Sequence, residues 1–284
     1  MNMSKNFFVS FLLLLLSLAA CKKEEPKNNH PHLSPGQLKV MTFNIRGTTT
    51  EDDAHNNWGM RAGSCRDMVI DQQPSLVGLQ EAVATEWKYM SRTLAGHGYA
   101  GVTDADINDS FLYRPDELEL LSDGVFWLSD TPDISSMSWD GYVRYVHWAV
   151  MKILSSGQEF FYMNTHLGLT AASRRSAMTL IQKRMKLLNP DGLPVVLMAD
   201  FNTHATDAVF NGIRETMDCT REVAQITDDV KTYNAWGNEV KAYQCDHIWV
   251  TKSVQCSEYK TVTQWYDGHK YVSDHYPVYS IIQF

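Results

Sequence analysis

The sequence predicts an α/β protein built from two mixed β-sheets with helices outside them. Three observations predict this. Short apolar runs rich in Val, Ile, Phe, Tyr and Trp recur along the 284 residues. Amphipathic stretches separate some of these runs, while others adjoin directly. Polar residues of a few types recur where the runs end.

Strands are predicted at 38–44, 76–80, 109–113, 118–121, 147–154, 159–165, 194–199, 246–251, 259–263 and 277–283. Helices are predicted at 59–72, 83–95, 171–188 and 204–215. The third is the clearest, because Ala172, Ala177, Leu180, Ile181 and Leu188 can share a face while Arg174, Lys183, Arg184 and Lys186 stay solvated. Asn189-Pro190-Asp191-Gly192 then stops it. Long loops are expected at 46–58, 122–146 and 231–244, and loops of that length usually serve function. They carry Trp58, Trp127, Trp139, Tyr142, Trp236 and Tyr243, which either stack on a substrate ring or close over the sheet edges.

Residues 1–20 are not expected to belong to the fold. Lys5, an apolar stretch from Phe7 to Leu18, and Leu18-Ala19-Ala20-Cys21 have the layout of a secretory signal. The stretch is shorter than the roughly 20 residues of a spanning helix. LAAC resembles a bacterial lipobox, which implies lipidation of Cys21. Residues 21–36 read as the lipidated Cys and a flexible tether, since KKEEPKNNHPHLSPG is charged and carries Pro, Asn and Gly. Lys22-Lys23-Glu24-Glu25 resembles a surface-export signal of Bacteroidetes lipoproteins. The expected location is the outer membrane, facing the periplasm or the cell surface, with the lipid anchor as the membrane contact.

Residues 37–284 then form one large domain, expected to be monomeric. The formal charge is −8, and loss of Lys5 makes it more negative. An acidic chain is a poor non-specific partner of nucleic acid or anionic membrane. A local basic patch remains around Arg174, Arg175, Lys183 and Arg184. The four cysteines after Cys21 show no CxxC pair, which argues against a zinc cluster. Cys245 and Cys256 are placed for a disulfide on neighbouring strands, or all four are buried thiols.

The polar strand ends carry the chemistry. They are Asn44, Glu81, Asn164 with His166, Asp200 with Asn202, Asp246, and Asp274 with His275. Each has a plainer explanation alone: Glu81 as a first-turn helix residue, and Asp200 and Asn202 as caps. Together they supply what cleavage of a phosphate ester needs. Glu81 suits a hard cation, Asn44 adds a neutral oxygen, Asp200 accepts a proton from water, and Asn202 holds that water or a phosphoryl oxygen. His166 and His275, if protonated, donate to phosphoryl oxygens, and Asp246 fixes a tautomer.

In chain order, FNIRG, GLQEA, THLGL, MADFN, CDHIWV and SDHYPV resemble the endonuclease/exonuclease/phosphatase superfamily over residues 38–284. That superfamily includes deoxyribonucleases, abasic-site endonucleases, sphingomyelinases, inositol polyphosphate phosphatases and deadenylases. The resemblance implies a four-layer α/β sandwich and a Mg²⁺-dependent hydrolase, with Mn²⁺ as a substitute. It places Asn44, Glu81 and Asp274 at the metal, Asp200 on the attacking water and Asn202 on the phosphate. It pairs Asp246 with His275 and sets His166 at the phosphate or leaving group. Arg46, Arg175 and Trp236 are the expected substrate contacts. FLYRPDELELLSDGVFWLSDTPD further resembles a bacterial FWLSETP-type group of metal-dependent hydrolases. His247 departs from the Tyr usual at its position. The expected activity is a phosphodiesterase or nuclease; the alternative is a phosphatase or sphingomyelinase-like hydrolase on sugar, inositol or lipid phosphates. A silent surface binding module is the reading from a different class. Candidate partners are therefore nucleic acid, nucleotides and phosphorylated small molecules or lipids.

Overall fold

A computed structural model describes residues 33–49, 52–103 and 109–284. The leader, Cys21 and the tether up to residue 32 lie outside the described residues. The elements run β1 (Gln37–Asn44), α1 (Trp58–Gln72), β2 (Leu76–Gln80), α2 (Ala84–Ala95), β3 (Ala100–Val102), β4 (Phe111–Tyr113) and β5 (Leu118–Trp127). They continue with β6 (Tyr145–Ile153), β7 (Glu159–His166), α3 (Ala171–Leu188), β8 (Val195–Asp200), β9 (Met217–Cys219), α4 (Thr220–Val223), β10 (Asp246–Thr251), β11 (Gln255–Thr261) and β12 (Val278–Gln283).

The strands form two six-stranded mixed sheets, in the orders β11-β12-β1-β2-β4-β3 and β5-β6-β7-β8-β10-β9. Leu38, Val40, Leu76, Phe160, Tyr162, Val196, Met198, Ile248 and Val250 fill the space between the sheets. Met41, Phe43, Val77 and Leu79 face outward and pack with Cys65, Met68 and Val69 of α1 and Met90 and Leu94 of α2. Phe161, Met163, Leu197 and Ala199 pack with Ala177, Met178 and Ile181 of α3. The result is a four-layer α/β sandwich, as the alternating and adjoining runs predict.

The alternation has a consequence at the strand ends. Side chains two residues apart share a face. Val40 faces the other sheet, and so does Asn44; Tyr162 does, and so does His166; Val196 and Met198 do, and so does Asp200; Ile248 does, and so does Asp246. The parallel pairs β1/β2 and β7/β8 end at the same edge, where the antiparallel β10 starts, with Asp246 opposite Asp200. Asn44, His166, Asp200 and Asp246 therefore enter the seam between the sheets at one edge.

Below them lies a sealed polar layer. Gln80 donates to Asn164 Oδ1 at 2.7 Å, and Asn164 donates to the Leu79 and Ser110 carbonyls at 2.9 and 3.1 Å. Gly78 makes room for this, since a Cβ there would lie 2.6 Å from both Asn164 Oδ1 and the Tyr162 hydroxyl.

Three expectations are corrected, and of the two readings of the cysteines the buried thiols are borne out. Residues 204–215 form turns and one 3₁₀ turn, Ala208–Phe210, instead of a helix. Asp207 causes this by accepting from Val209 N and Thr203 Oγ1, which fixes a tight turn, while Phe210 drops into the core. The loop expected at 122–146 is shorter, because β5 and β6 extend into it to Trp127 and from Tyr145. Cys245 precedes β10 in one sheet and Cys256 lies on β11 in the other, and all four described cysteines are free thiols. On α3 the buried residues are Ser173, Ala177, Met178 and Ile181, while Ala172 is exposed.

Gly78→Ala is expected to lower stability by about 1–3 kcal/mol through overpacking against Asn164. Thermal unfolding checks this; a variant as stable as the parent would show that the polar layer is not tightly held.

Candidate active site

The edge described above opens as a cavity of about 660 Å³. Asp200, His166, Glu81 and His275 form its floor, with Asn202, Arg46 and Asp274 beside them. Tyr142, Arg144, Tyr233 and Tyr243 make its walls. Asp200 is the hub. Its Oδ1 accepts from Asn202 N at 2.9 Å, and its Oδ2 accepts from Asn44 Nδ2 at 3.0 Å. The same Oδ2 lies 3.3 Å from His166 Nε2 and 3.7 Å from His275 Nε2.

The plainer explanations of these residues do not hold in the structure. Glu81 lies outside α2, which starts at Ala84 with Val83 as its cap residue. Turns and a 3₁₀ turn at Ala208–Phe210, not an α-helix, come directly after Asp200 and Asn202, so they cap none. Instead, Arg46, Glu81 and Asn202 each adopt a left-handed φ, of 59°, 60° and 53°, just past a strand end. Such backbone costs of order 1–3 kcal/mol per residue outside glycine, and it clusters where side chains must be aimed. The turns here aim a cation, a carboxylate and a carboxamide into one cavity.

The two imidazoles differ in charge. Burial pushes His166 down to about 3, outweighing Asp200, so its ring is neutral at pH 7. Asn202 Nδ2 donates to the Leu167 carbonyl at 2.8 Å and reaches His166 Nε2 at 3.0 Å, so that nitrogen acts as an acceptor. Burial also opposes the charge on His275, but the Asp246 and Asp200 carboxylates outweigh it and hold its pKa well above the usual histidine value. His275 Nδ1 lies 2.9 Å from Asp246 Oδ2. The sequence treats the histidines alike as protonated donors; the structure reserves that role for His275. His247 is a core residue, bonded through Nε2 to the Thr203 carbonyl at 2.9 Å and lowered to about 4 by burial.

Two donor sets could hold a cation. Asp200, Cys245, Asp246 and His275 bring one ligand atom each within 4.8 Å of one another. That set is internally bonded: Cys245 Sγ donates to Asp246 at 3.4 Å, and burial keeps its thiol protonated. The Glu81 set is harder. Its oxygens accept from Asn44 Nδ2 at 3.0 Å and Gly47 N at 3.1 Å, with His166 Nδ1 3.9 Å away and Arg46 attracting it from farther off. A half-exposed carboxylate beside a carboxamide and a second carboxylate fits the oxygen preference of Mg²⁺.

The remaining expected residues divide. Arg46 lines the cavity, bonded to Asp52 and 3.5 Å from Asp274. Arg175 and Trp236 do not line it: Arg175 lies on the exposed face of α3, and Trp236 packs over the Arg61 guanidinium at 5.6 Å. The sequence reading misses Arg144 and Tyr233. Arg144 carried no signal beyond its place in a long loop, and Tyr233 is drawn in by a bridge to His275.

The fold has counterparts among solved structures. A mannosyl-6-phosphatase from Bacteroides thetaiotaomicron is 27% identical with a TM-score of 0.79, covering 87% of this chain and 100% of that one. An endonuclease/exonuclease/phosphatase protein from Bacteroides vulgatus is 25% identical, also with a TM-score of 0.79, covering 87% and 99%. The human Nocturnin catalytic domain shares the fold at 16% identity and a TM-score of 0.67, covering 89% and 96%. An uncharacterised protein of Acanthamoeba polyphaga mimivirus is 22% identical over 270 residues, covering 87% of this chain and all of that one. No protein-family model matches. The structural neighbours are endonuclease/exonuclease/phosphatase proteins, which supports the superfamily resemblance of the motifs and, with it, a phosphoester hydrolase.

Asp246→Asn removes the main charge that holds His275 protonated. Its ring should then titrate at lower pH, visible by NMR, and an unchanged titration would contradict the pairing. Breaking the buried pair should also cost about 3–5 kcal/mol near neutral pH. Because the folded pKa of His275 is raised, its stabilisation is complete below about pH 6.5 and fades as pH climbs through that raised value. The stability gap between parent and variant should shrink in the same direction.

Proposed function

We propose that this chain is a Mg²⁺-dependent phosphoester hydrolase whose substrate is a small phosphorylated molecule, in the first instance a sugar phosphate. The cavity carries this reading. It is a half-enclosed, tyrosine-walled pocket set in an acidic protein, and a polynucleotide binder would need an open basic groove. The order of preference expected from sequence, with a diesterase or nuclease first, is thereby reversed. The likeness to a protein described as a mannosyl-6-phosphatase points the same way.

Glu81 and Asn44 would hold the cation, which supplies charge neutralisation to the phosphoryl oxygens. Asp274 lies 3.5 Å from Arg46 and, in this reading, orients that guanidinium. Asp200 accepts the proton of the attacking water, because its Oδ2 faces the cavity floor. The charged His275, Arg46 and Arg144 donate to the phosphoryl oxygens as charge builds on them. Asn202 holds the water or a phosphoryl oxygen and keeps His166 Nε2 an acceptor. Tyr142 and Tyr243 present ring faces to the rest of the substrate. We also propose export as a lipoprotein anchored through Cys21, on the strength of the LAAC motif. Lipid labelling that persists in Cys21→Ser would refute it.

Purified residues 37–284 with Mg²⁺ or Mn²⁺ should hydrolyse hexose 6-phosphates faster than bis-p-nitrophenyl phosphate or single-stranded DNA. A preference for DNA would return the enzyme to the nuclease reading. Asp200→Ala should lower kcat by about 10²–10⁴-fold, and chelation should abolish turnover. Activity that survives both changes would sink the mechanism, and inactivity toward every phosphoester would favour a binding module.

A further inference from the structure

A second cavity, of about 490 Å³, lies between loop 128–144 and the outer face of α3. The loop contributes Trp139, an exposed indole whose Nε1 donates to Asp130 Oδ1 at 3.1 Å. That bond ties the ring to the cavity wall, which Asp130 also lines. The helix contributes Arg175, Thr179 and Lys183, spaced four residues apart and therefore on one face, with Leu180 beside them.

The pairing of the α3 cations is uneven. Arg184 is bonded to Asp133 at 2.7 Å, and Arg174 donates to the Gly168 and Leu169 carbonyls. Arg175 and Lys183 have no ion pair among the described residues, and these are the two that line the cavity. An aromatic side chain on the wall, two cations without an ion pair among the described residues and hydroxyls in reach form a recognisable set. The aromatic side chain suits the face of a sugar ring, and the cations suit an anion carried by it.

The loop joins this cavity to the catalytic one. Ser138 N donates to the Tyr142 carbonyl at 2.7 Å across a tight turn, with Trp139 on one side and Tyr142 and Arg144 on the other. Asp140 braces the turn by accepting from Leu169 N at 3.3 Å and lying 3.5 Å from Arg144 Nε. One loop is thus a wall of both cavities.

We infer that the Trp139–Arg175–Lys183 cavity is a second binding site, which takes an anionic sugar unit. Resting on the sugar-phosphate reading above, it makes the enzyme one that prefers a charged glycan to a single hexose phosphate. Arg175 then contacts substrate as the sequence predicts, but outside the catalytic cavity.

The test is binding, observed at the Trp139 indole N–H by NMR on residues 37–284 and assigned by its loss in Trp139→Phe. Glucuronate and glucose 6-sulfate are the anionic probes and glucose is the neutral one; none is a phosphoester, so the result is independent of hydrolysis. At least one anion should shift the resonance saturably, glucose should bind about tenfold more weakly, and Lys183→Ala should weaken the anion by about tenfold. The anion that binds identifies the source, a carboxylate or an ester. The shift should persist in Asp200→Asn, which perturbs only the catalytic cavity. No shift with either anion would overturn the inference, as would equal binding of glucose or binding unchanged in Arg175→Ala/Lys183→Ala. Failure to hydrolyse any phosphoester, with the shift intact, would count against the catalytic reading alone.

Discussion

Asp200 is a carboxylate at the end of a strand whose preceding inward side chains, Val196 and Met198, are fully buried. An isolated charge there would be costly. It is tolerated because the Asn44 side chain and the Asn202 backbone N–H donate to it and His275 faces it as a cation. The constraint is mutual. The period-two alternation that packs the sheets delivers Asn44, His166, Asp200 and Asp246 to the same seam. The fold's core and its chemistry are therefore one register, and a one-residue slip of β8 would turn Asp200 into the outer core and destroy both.

The same edge separates two imidazoles that begin with identical chemistry. His275 has a carboxylate on each side and stays charged. His166 also lies between carboxylates, with Asp200 3.3 Å from Nε2 and Glu81 3.9 Å from Nδ1, but burial outweighs Asp200, and Arg144 and the charged His275 add to it, so the ring stays neutral. Environments that push like groups apart in pKa assign them different tasks. One becomes a fixed positive charge for the phosphoryl group, and the other an acceptor that keeps Asn202 in place.

How much of this could be read in the sequence depends on the range of the interaction. Apolar alternation is local, and it marked most strands and three of the four helices. The fourth failed because Asp207 bonds to its own neighbours, a side-chain choice that periodicity does not register. The motif residues were legible because each sits immediately after an apolar run. Trp236 was misplaced because an aromatic in a loop carries no direction; here it covers Arg61. Arg144 was missed for the converse reason, since it reaches the cavity only through the brace of Asp140. Cys245 and Cys256 look like neighbours in sequence, yet the chain changes sheets between them.

The division between strands and loops also explains why reaction and substrate separate so cleanly. Asp200, Asp246, Asn44 and His166 are the last or first residues of paired strands, and ladder hydrogen bonds fix their backbones. Groups that must meet a reacting atom within a fraction of an ångström belong on such elements. Tyr142, Arg144 and Trp139 come from one loop, and its exposed Val143 lines the catalytic cavity. Apolar side chains left in water at the mouth of a polar cavity are suited to a partly apolar ligand surface, and a sugar ring offers one on its face. The turn that carries them can change in sequence without disturbing the register of either sheet. A chain built this way keeps its hydrolytic chemistry while its loops decide what is hydrolysed.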